Sequence, residues 1–71
     1  MELKELEYLI AIAEEKSISK AAERLFMAQS SLSQSLHSME AELGGTLFIR
    51  TSSGVRPTES GKIAIEVAQK M

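Results

Sequence analysis

The sequence predicts a mainly α-helical domain that carries one short β-hairpin, and two observations point to this class. Apolar residues recur at steps of three and four along residues 3–43 and again after residue 58, which is the period of helices packed on a core. Between these segments, LFIRTSSGVRPT places β-favouring residues on either side of a Ser-Ser-Gly turn. The 71 residues suffice for one small domain or for a piece of a longer protein.

The first two helices are predicted over residues 3–15 and about 18–25. The i, i+3, i+4, i+7 spacing in the first helix indicates an inward face, which consists of Leu6, Leu9, Ile10 and Ala13. Ser17 can cap the second helix, because its hydroxyl can accept a hydrogen bond from an N–H of the first turn. The second helix is expected to bury Ile18, Ala21, Ala22 and Leu25.

A third helix is predicted over about 29–43, after the short connection FMAQ. Gly44 ends it, since glycine readily adopts the left-handed conformation that closes a helix. At 100° per residue, one apolar stripe lies within about 40° of a line along the helix, and it consists of Leu32, Leu36, Met39 and Leu43. The other face is made of Ser, Gln and His and carries no charge from Gln29 to Ser38.

The hairpin is predicted to pair about Phe48–Thr51 with Val55–Pro57. Pro57 has no N–H to donate, so its strand must end there or lie at an edge. Thr58 can cap a last helix that runs from Glu59 to at least Lys70.

Three helices, a two-stranded β wing and a long C-terminal linker helix together predict a winged helix-turn-helix. In this arrangement the third helix enters the major groove of DNA and the wing lies along the backbone. The predicted domain covers residues 1–58, and residues 59–71 begin a linker and dimerisation helix.

Composition excludes several classes of function. The chain has no Cys and a single His, with no Gly-rich phosphate loop, so neither an enzyme nor a metal site is expected. No apolar run approaches the roughly 20 residues of a membrane span. The net charge of −2 is uneven, with five Glu and one Lys in residues 1–15 but six Lys or Arg and four Glu in residues 16–62. This asymmetry is compatible with one face turned toward phosphate.

From Leu3 to Gly61 the chain resembles the N-terminal DNA-binding domain of LysR-type transcriptional regulators. The resemblance rests on LEYLIAIAEEKSISKAAERL, Gln29, LSQSL, MEAELG, LFIR and GVRPTESG, which occur in this order without a gap. This chain departs from common family residues at Lys16 (Gly), Ile18 (Phe), Ala28 (Ser or Thr), Ser30 (Pro) and Gln34 (Arg). Since Ala28 cannot cap the third helix, Ser30 or Ser31 is expected to satisfy its free N–H groups.

The uncharged face of the third helix is the predicted base-reading surface. Gln can bind adenine through N6 and N7, which makes Gln29 and Gln34 the first candidates. The family resemblance adds Ser30 and Ser33 to the base contacts. Hydroxyl, imidazole and cationic groups are predicted to contact the phosphate backbone, and they are Ser31, His37, Ser38, Lys20, Arg24, Arg50, Arg56 and Thr58. For Arg50, a structural ion pair with Glu40 or Glu42 is the alternative, and Thr58 can be a cap only.

The last helix predicts dimerisation, because its apolar residues spread over about 200° whereas packing on one domain needs about 100°. The predicted dimer surface consists of Ile63, Ala64, Ile65, Val67, Ala68 and Met71. An end exposed by truncation is the alternative explanation.

The resemblance implies a bacterial or archaeal cytoplasmic, nucleoid-associated regulator that binds an interrupted inverted repeat of double-stranded DNA as a dimer. It implies a tetramer at full length, a contact with RNA polymerase, and a small-molecule effector held by a C-terminal domain that this chain lacks, with no cofactor in this domain. The competing hypothesis is a helix-turn-helix module that heterodimerises with other regulators without binding DNA.

Overall fold

The computed structural model describes residues 2–71, in which three helices, a two-stranded antiparallel sheet and a fourth helix follow one another along the chain. The helices are α1 (Leu3–Glu15), α2 (Ile18–Arg24), α3 (Gln29–Leu43) and α4 (Glu59–Gln69), and the strands are β1 (Phe48–Thr51) and β2 (Gly54–Pro57). This is the predicted winged helix-turn-helix, with α2 and α3 as the helix pair and the β1–β2 hairpin as the wing. Only the ends of α2 and α4 and the start of β2 differ from prediction, each by one residue.

One core joins the four helices and the base of the wing. Its largest fully buried side chains come from α1, α3 and the segment before the wing, and they are Leu9, Ile12, Leu32, Met39 and Leu47. The adjacent Ala21 and Ala22 of α2 are also buried, which lets α2 lie close to its neighbours. Met27, Ala64 and Ile65 pack against this core from its margin.

The inward face predicted for α1 is partly wrong. Leu9 is buried as expected, but Ala11 and Ile12 are buried while Leu6, Ile10 and Ala13 are only half-buried. The segment LIAIA is apolar at every position, so its sequence does not define which side faces inward. The position of the helices packed against α1 decides the face.

Local capping signals act as predicted at three helix ends. The Ser17 hydroxyl accepts a hydrogen bond from the Lys20 N–H at 3.2 Å, and the Thr58 hydroxyl accepts one from the Gly61 N–H at 3.0 Å. Gly44 closes α3 in the left-handed conformation, with φ of 78°. These contacts set where α2 and α4 begin and where α3 ends.

The turn between α2 and α3 is closed by a phenylalanine where glycine is usual. Phe26 has φ of 56°, its N–H bonds the Glu23 carbonyl, and the Met27 N–H bonds the Ala22 carbonyl. This pair of bonds is a Schellman motif, and Met27 packs back on the core as the motif favours. The Phe26 side chain itself is 97% exposed.

Candidate nucleic-acid interface

The polar face of α3 is exposed because the helix buries its opposite stripe. Leu32, Leu36 and Met39 are buried as predicted, which fixes the rotation of the helix. The proposed contact residues Gln29, Ser30, Ser31, Gln34, His37 and Ser38 are all exposed, and Ser33 is half-buried. The result is an open surface of amide, hydroxyl and imidazole groups.

The N-terminus of α3 lacks the replacement cap that the sequence suggested. Ala28 occupies the cap position and provides no side-chain hydrogen bond. Neither Ser30 nor Ser31 bonds a first-turn N–H with its hydroxyl within residues 2–71. Both hydroxyls are therefore exposed and available to a ligand.

The register of the wing aims Arg50 at α3. Arg50 pairs with the buried Val55, so both side chains lie on the inner side of the hairpin. Together with Ser33 and His37 of α3, Arg50 lines a narrow cleft of about 70 Å³. Arg50 thus supplies a cation beside a helix face that has none of its own.

A second cleft of about 210 Å³ continues this surface toward the start of α2. It is lined by Gln29 of α3, by Arg50 and Thr51 of the wing, and by Ser17 and Ser19 at the start of α2. Neither Ser19 nor Thr51 is among the site residues predicted from the sequence. The rotation of α2 could have indicated Ser19, which lies outward between the buried Ile18 and Ala22, but only the fold brings both residues beside Gln29.

Arg50 is not used in an internal ion pair. The Glu40 carboxylate instead accepts hydrogen bonds from the backbone N–H groups of Leu47, at 2.7 Å, and Phe48, at 3.5 Å. These bonds tie the end of α3 to the start of the wing. Within residues 2–71 Arg50 forms no salt bridge, so its charge remains available to a phosphate.

Arg24, which was predicted to contact the DNA backbone, forms ion pairs within the domain. Its Nη1 lies 2.7 Å from Glu14 Oε1 and 3.3 Å from Glu15 Oε2, at the end of α1. The hydrogen bond to Glu14 is the main cause that raises the pKa of the Arg24 guanidinium above its ordinary value. Arg24 therefore joins α2 to α1 with its charge balanced, whereas Lys20 is exposed and forms no salt bridge in the described part of the chain.

Thr58 acts as the cap that the sequence analysis kept as its alternative role. Besides accepting from Gly61, its hydroxyl donates to the Thr46 carbonyl oxygen at 2.6 Å. The residue is half-buried between the wing and α4. The hydroxyl proton and one acceptor lone pair are both used inside the domain, so the hydroxyl has no proton left to donate to a phosphate oxygen.

The outer side of α4 carries an exposed apolar surface. Ile63, Val67 and Met71 are 64%, 52% and 79% exposed. Ile63 and Val67 line a groove of about 340 Å³ with Leu6, Leu43 and Leu47. Leu43, predicted to face the core, is 51% exposed at the rim of this groove because α3 extends past the core there.

The dimer surface predicted on α4 is narrower than the sequence suggested. Ala68 is only 5% exposed, and Ala64 and Ile65 are half-buried and pack against the core. These three residues face their own domain because α4 lies across α1 and the base of the wing. Ile63, Val67 and Met71 alone of the predicted set present side chains outward.

A family model described as "Bacterial regulatory helix-turn-helix protein, lysR family" matches residues 3–62. The chain belongs to the LysR family. Within residues 2–71, no helix is long and apolar enough to cross a membrane. Nor do three His, Asp or Glu side chains of that range lie together as metal ligands would.

Solved LysR-type domains share the whole fold. The CbnR DNA-binding domain in complex with DNA has a TM-score of 0.93 at 34% identity, covering 99% of this chain and 80% of that one. The BenM DNA-binding domain with catB site 1 DNA also has a TM-score of 0.93, at 41% identity, covering 99% of this chain and 79% of that one.

Curated relatives match in sequence over nearly the entire chain. The uncharacterized HTH-type transcriptional regulator YcgK of Bacillus subtilis is 48% identical over 69 residues, which is 97% of this chain and 21% of YcgK. The nitrogen assimilation regulatory protein nac of Klebsiella aerogenes is 46% identical over 63 residues, 89% of this chain and 21% of that protein. The chain therefore spans about a fifth of these relatives. It corresponds to the helix-turn-helix DNA-binding domain of the LysR family.

Proposed function

We propose that this domain binds double-stranded DNA in a sequence-specific manner, as a homodimer on an interrupted inverted repeat. In this proposal α3 enters the major groove and the wing follows the phosphate backbone. The observation that carries the proposal is the exposed uncharged face of α3 beside the unpaired cation Arg50. Base edges and phosphates are the two chemistries that such a surface can satisfy together.

Base reading falls to the groups that project from the first turns of α3. Gln29 and Gln34 can each bond adenine through N6 and N7, and Ser30 and Ser33 can donate to or accept from several bases. No cation on this face competes with them for phosphate. Affinity for one sequence over another then arises from matched hydrogen bonds.

Backbone contacts are proposed at the margins of the same surface. Lys20 is exposed on α2, Arg50 lines the cleft beside Gln29, and Arg56 lies on the outer side of the wing. None of the three forms a salt bridge within residues 2–71. The exposed Ser31, His37 and Ser38 along α3 complete the set. Arg24 and Thr58 are left out of it, because their polar groups already have partners within the domain.

The proposed dimer rests on the exposed apolar side of α4. Covering Ile63, Val67 and Met71 with a second copy removes apolar surface from water, which is the main driving force of association. A two-fold dimer places its two α3 helices in opposite orientations, and an inverted repeat is the DNA sequence that matches them.

The wider role is proposed by analogy with the family. The chain would work on the chromosome in the cytoplasm, as part of a longer regulator that holds a small-molecule effector in a C-terminal domain. That regulator would form a tetramer and contact RNA polymerase. The solved complexes of CbnR and BenM domains with DNA support the DNA-binding step of this proposal.

Selection from randomised duplexes, followed by salt titration, tests the proposed function. We expect an enriched inverted motif, with log affinity falling linearly against log salt concentration by about 0.9 for each phosphate contacted. A module that only heterodimerises would enrich no motif and show no linear salt dependence, and that result would overturn the proposal.

A further inference from the structure

A cleft of about 580 Å³ lies between the end of α1 and strand β2 of the wing, and no residue of α3 lines it. We call it the wing-back cleft. Its cations are Lys16, at the end of α1, and Arg56 of β2, and Thr51 and Ser53 add hydroxyl groups at its rim. Lys16 has no role predicted from the sequence, and both Arg56 and Arg50 are predicted to contact the phosphate backbone. The structure separates the two arginines.

The hairpin register puts these arginines on opposite sides of the wing. Arg50 pairs with the buried Val55 on the inner side, whereas Arg56 pairs with Ile49, which is 43% exposed on the outer side. Because side chains alternate along a strand, Arg56 cannot enter the cleft that Arg50 lines beside α3. Any partner of Arg56 must approach from the outer side.

Lys16 is held at the wing by its backbone. It closes α1 in the left-handed conformation, with φ of 56°, and its carbonyl oxygen accepts a hydrogen bond from the Val55 N–H at 3.1 Å. Gly54 lies so close to the same carbonyl that a side chain there would collide with it. The end of α1 and the wing are therefore fastened together, and the two cations sit on rigid elements.

The charge of the wing-back cleft is not neutralised from within the domain. Lys16 and Arg56 are both exposed, and neither forms a salt bridge in the part of the chain that the structure describes. No carboxylate lines the cleft. The acids next to Lys16 in the chain, Glu14 and Glu15, are both bound by Arg24, and Glu59, three residues after Arg56, pairs with Lys62 at 3.5 Å. A cleft of this kind attracts an anion.

We infer that the wing-back cleft binds the phosphate backbone of duplex DNA that flanks the base pairs read by α3, with Lys16 and Arg56 as the phosphate ligands. Thr51 lines both this cleft and the one shared by Gln29 and Arg50, so the DNA-binding surface continues around the tip of the wing. The apolar floor of Ala13 and Pro57 suits the carbon faces of deoxyriboses, and the rim hydroxyls suit phosphate oxygens. The inference rests on the proposed function and extends the footprint to α1.

Two duplexes test it on the 71-residue chain. The short duplex holds only the selected motif, and the long duplex adds about one helical turn on each side. Lys16→Asn removes the charge while keeping a residue that tolerates the left-handed conformation. We expect it to weaken the long duplex about fivefold and to lower its salt slope by about 0.9, with less than a twofold effect on the short one. Arg56→Ala should weaken the long duplex by a similar factor. Lys16→Arg keeps the positive charge and should bind both duplexes as the wild type does.

Lys4→Ala is the matched control, because it removes the same charge from the other end of α1. The two lysines are about 18 Å apart along the helix, beyond the screening length of about 8 Å at physiological salt. Arg50→Ala should weaken both duplexes. If Lys16→Asn matches Lys4→Ala on the long duplex while Arg50→Ala still weakens binding, the inference is wrong and the proposed function stands. If the wild-type chain selects no motif, both are wrong.

Discussion

The outward faces of α3 and α4 differ in chemistry although both helices pack on the same core. The face of α3 presents amides, hydroxyls and one imidazole, whereas that of α4 presents Ile63, Val67 and Met71. Water satisfies the first surface and not the second. An exposed polar face costs little free energy, while covering an aliphatic side chain gains about 1.5–3 kcal/mol.

This difference assigns two kinds of partner to the two faces. The polar groups of α3 stay bound to water until matching donors and acceptors of DNA replace that water. Such binding is reversible and weakens as the salt concentration rises. Burial of the apolar surface of α4 against a partner is favourable whether or not DNA is bound, and salt does not weaken apolar burial. Under the proposed function, the dimer therefore persists under conditions that release the DNA.

The largest expected effect is on the free energy of unfolding, and it distinguishes the buried side of α4 from its exposed side. Ala68→Glu should unfold the domain, because it places a carboxylate in the core at a cost of about 4 kcal/mol or more. Val67→Glu, one residue earlier and half exposed, should leave the free energy of unfolding of the monomeric domain, measured at concentrations too low for dimerisation, within about 1 kcal/mol of the wild type. Urea denaturation followed by circular dichroism measures both. Equal losses would mean that the outer face of α4 is part of the core.

The apolar face is tested next by Ile63→Glu. The domain should keep its helical spectrum, since Ile63 is 64% exposed. The dimer should lose about 3 kcal/mol, because a two-fold interface loses the buried isoleucine twice. Sedimentation equilibrium reads the shift toward monomer, with Lys62→Ala on the neighbouring exposed position as the control. A wild-type chain that stays monomeric at high concentration would contradict the proposed role of this face.

The polar face is tested by Gln34, which lies outward almost opposite the buried Leu32. Removing a bidentate contact should cost about 1–3 kcal/mol at one base pair and little elsewhere. In selections from randomised duplexes, the native chain should enrich A at one position of each half-site, Gln34→Ala should flatten it, and Gln34→Arg should shift it toward G. Three identical motifs would show that Gln34 reads no base.

The smallest expected effect is on the salt dependence of DNA binding, and it compares Arg50, which has no ion pair in the described residues, with Arg24, which has two. Arg50→Ala should reduce the salt slope of binding by about 0.9, for operator and random DNA alike. Arg24→Ala removes the same charge from a residue bound by Glu14 and Glu15, so the slope should not change. Fluorescence anisotropy over a range of salt concentrations measures both slopes. A lower slope for Arg24→Ala would mean that DNA competes successfully with the two glutamates.

The sequence by itself determined the elements and their ends. Ser17 and Thr58 cap the helices that follow them, and Gly44 closes α3. The period of Leu32, Leu36 and Met39 gave the rotation of α3, and hence its polar face. These features were readable because capping and periodicity act between residues at most four positions apart, so the determining partners lie within a few letters of one another.

Only the tertiary structure decided which side chains are free and where they face. Arg24 meets partners nine and ten residues earlier in the chain, Arg50 lies beside His37, and Lys16 joins Arg56 across forty residues. Ala68, predicted for the dimer surface, is buried because α4 crosses α1, and Leu43, predicted to face the core, is exposed because α3 extends past the core. Each outcome depends on how distant elements pack, and the packing depends on the whole core rather than on any short segment.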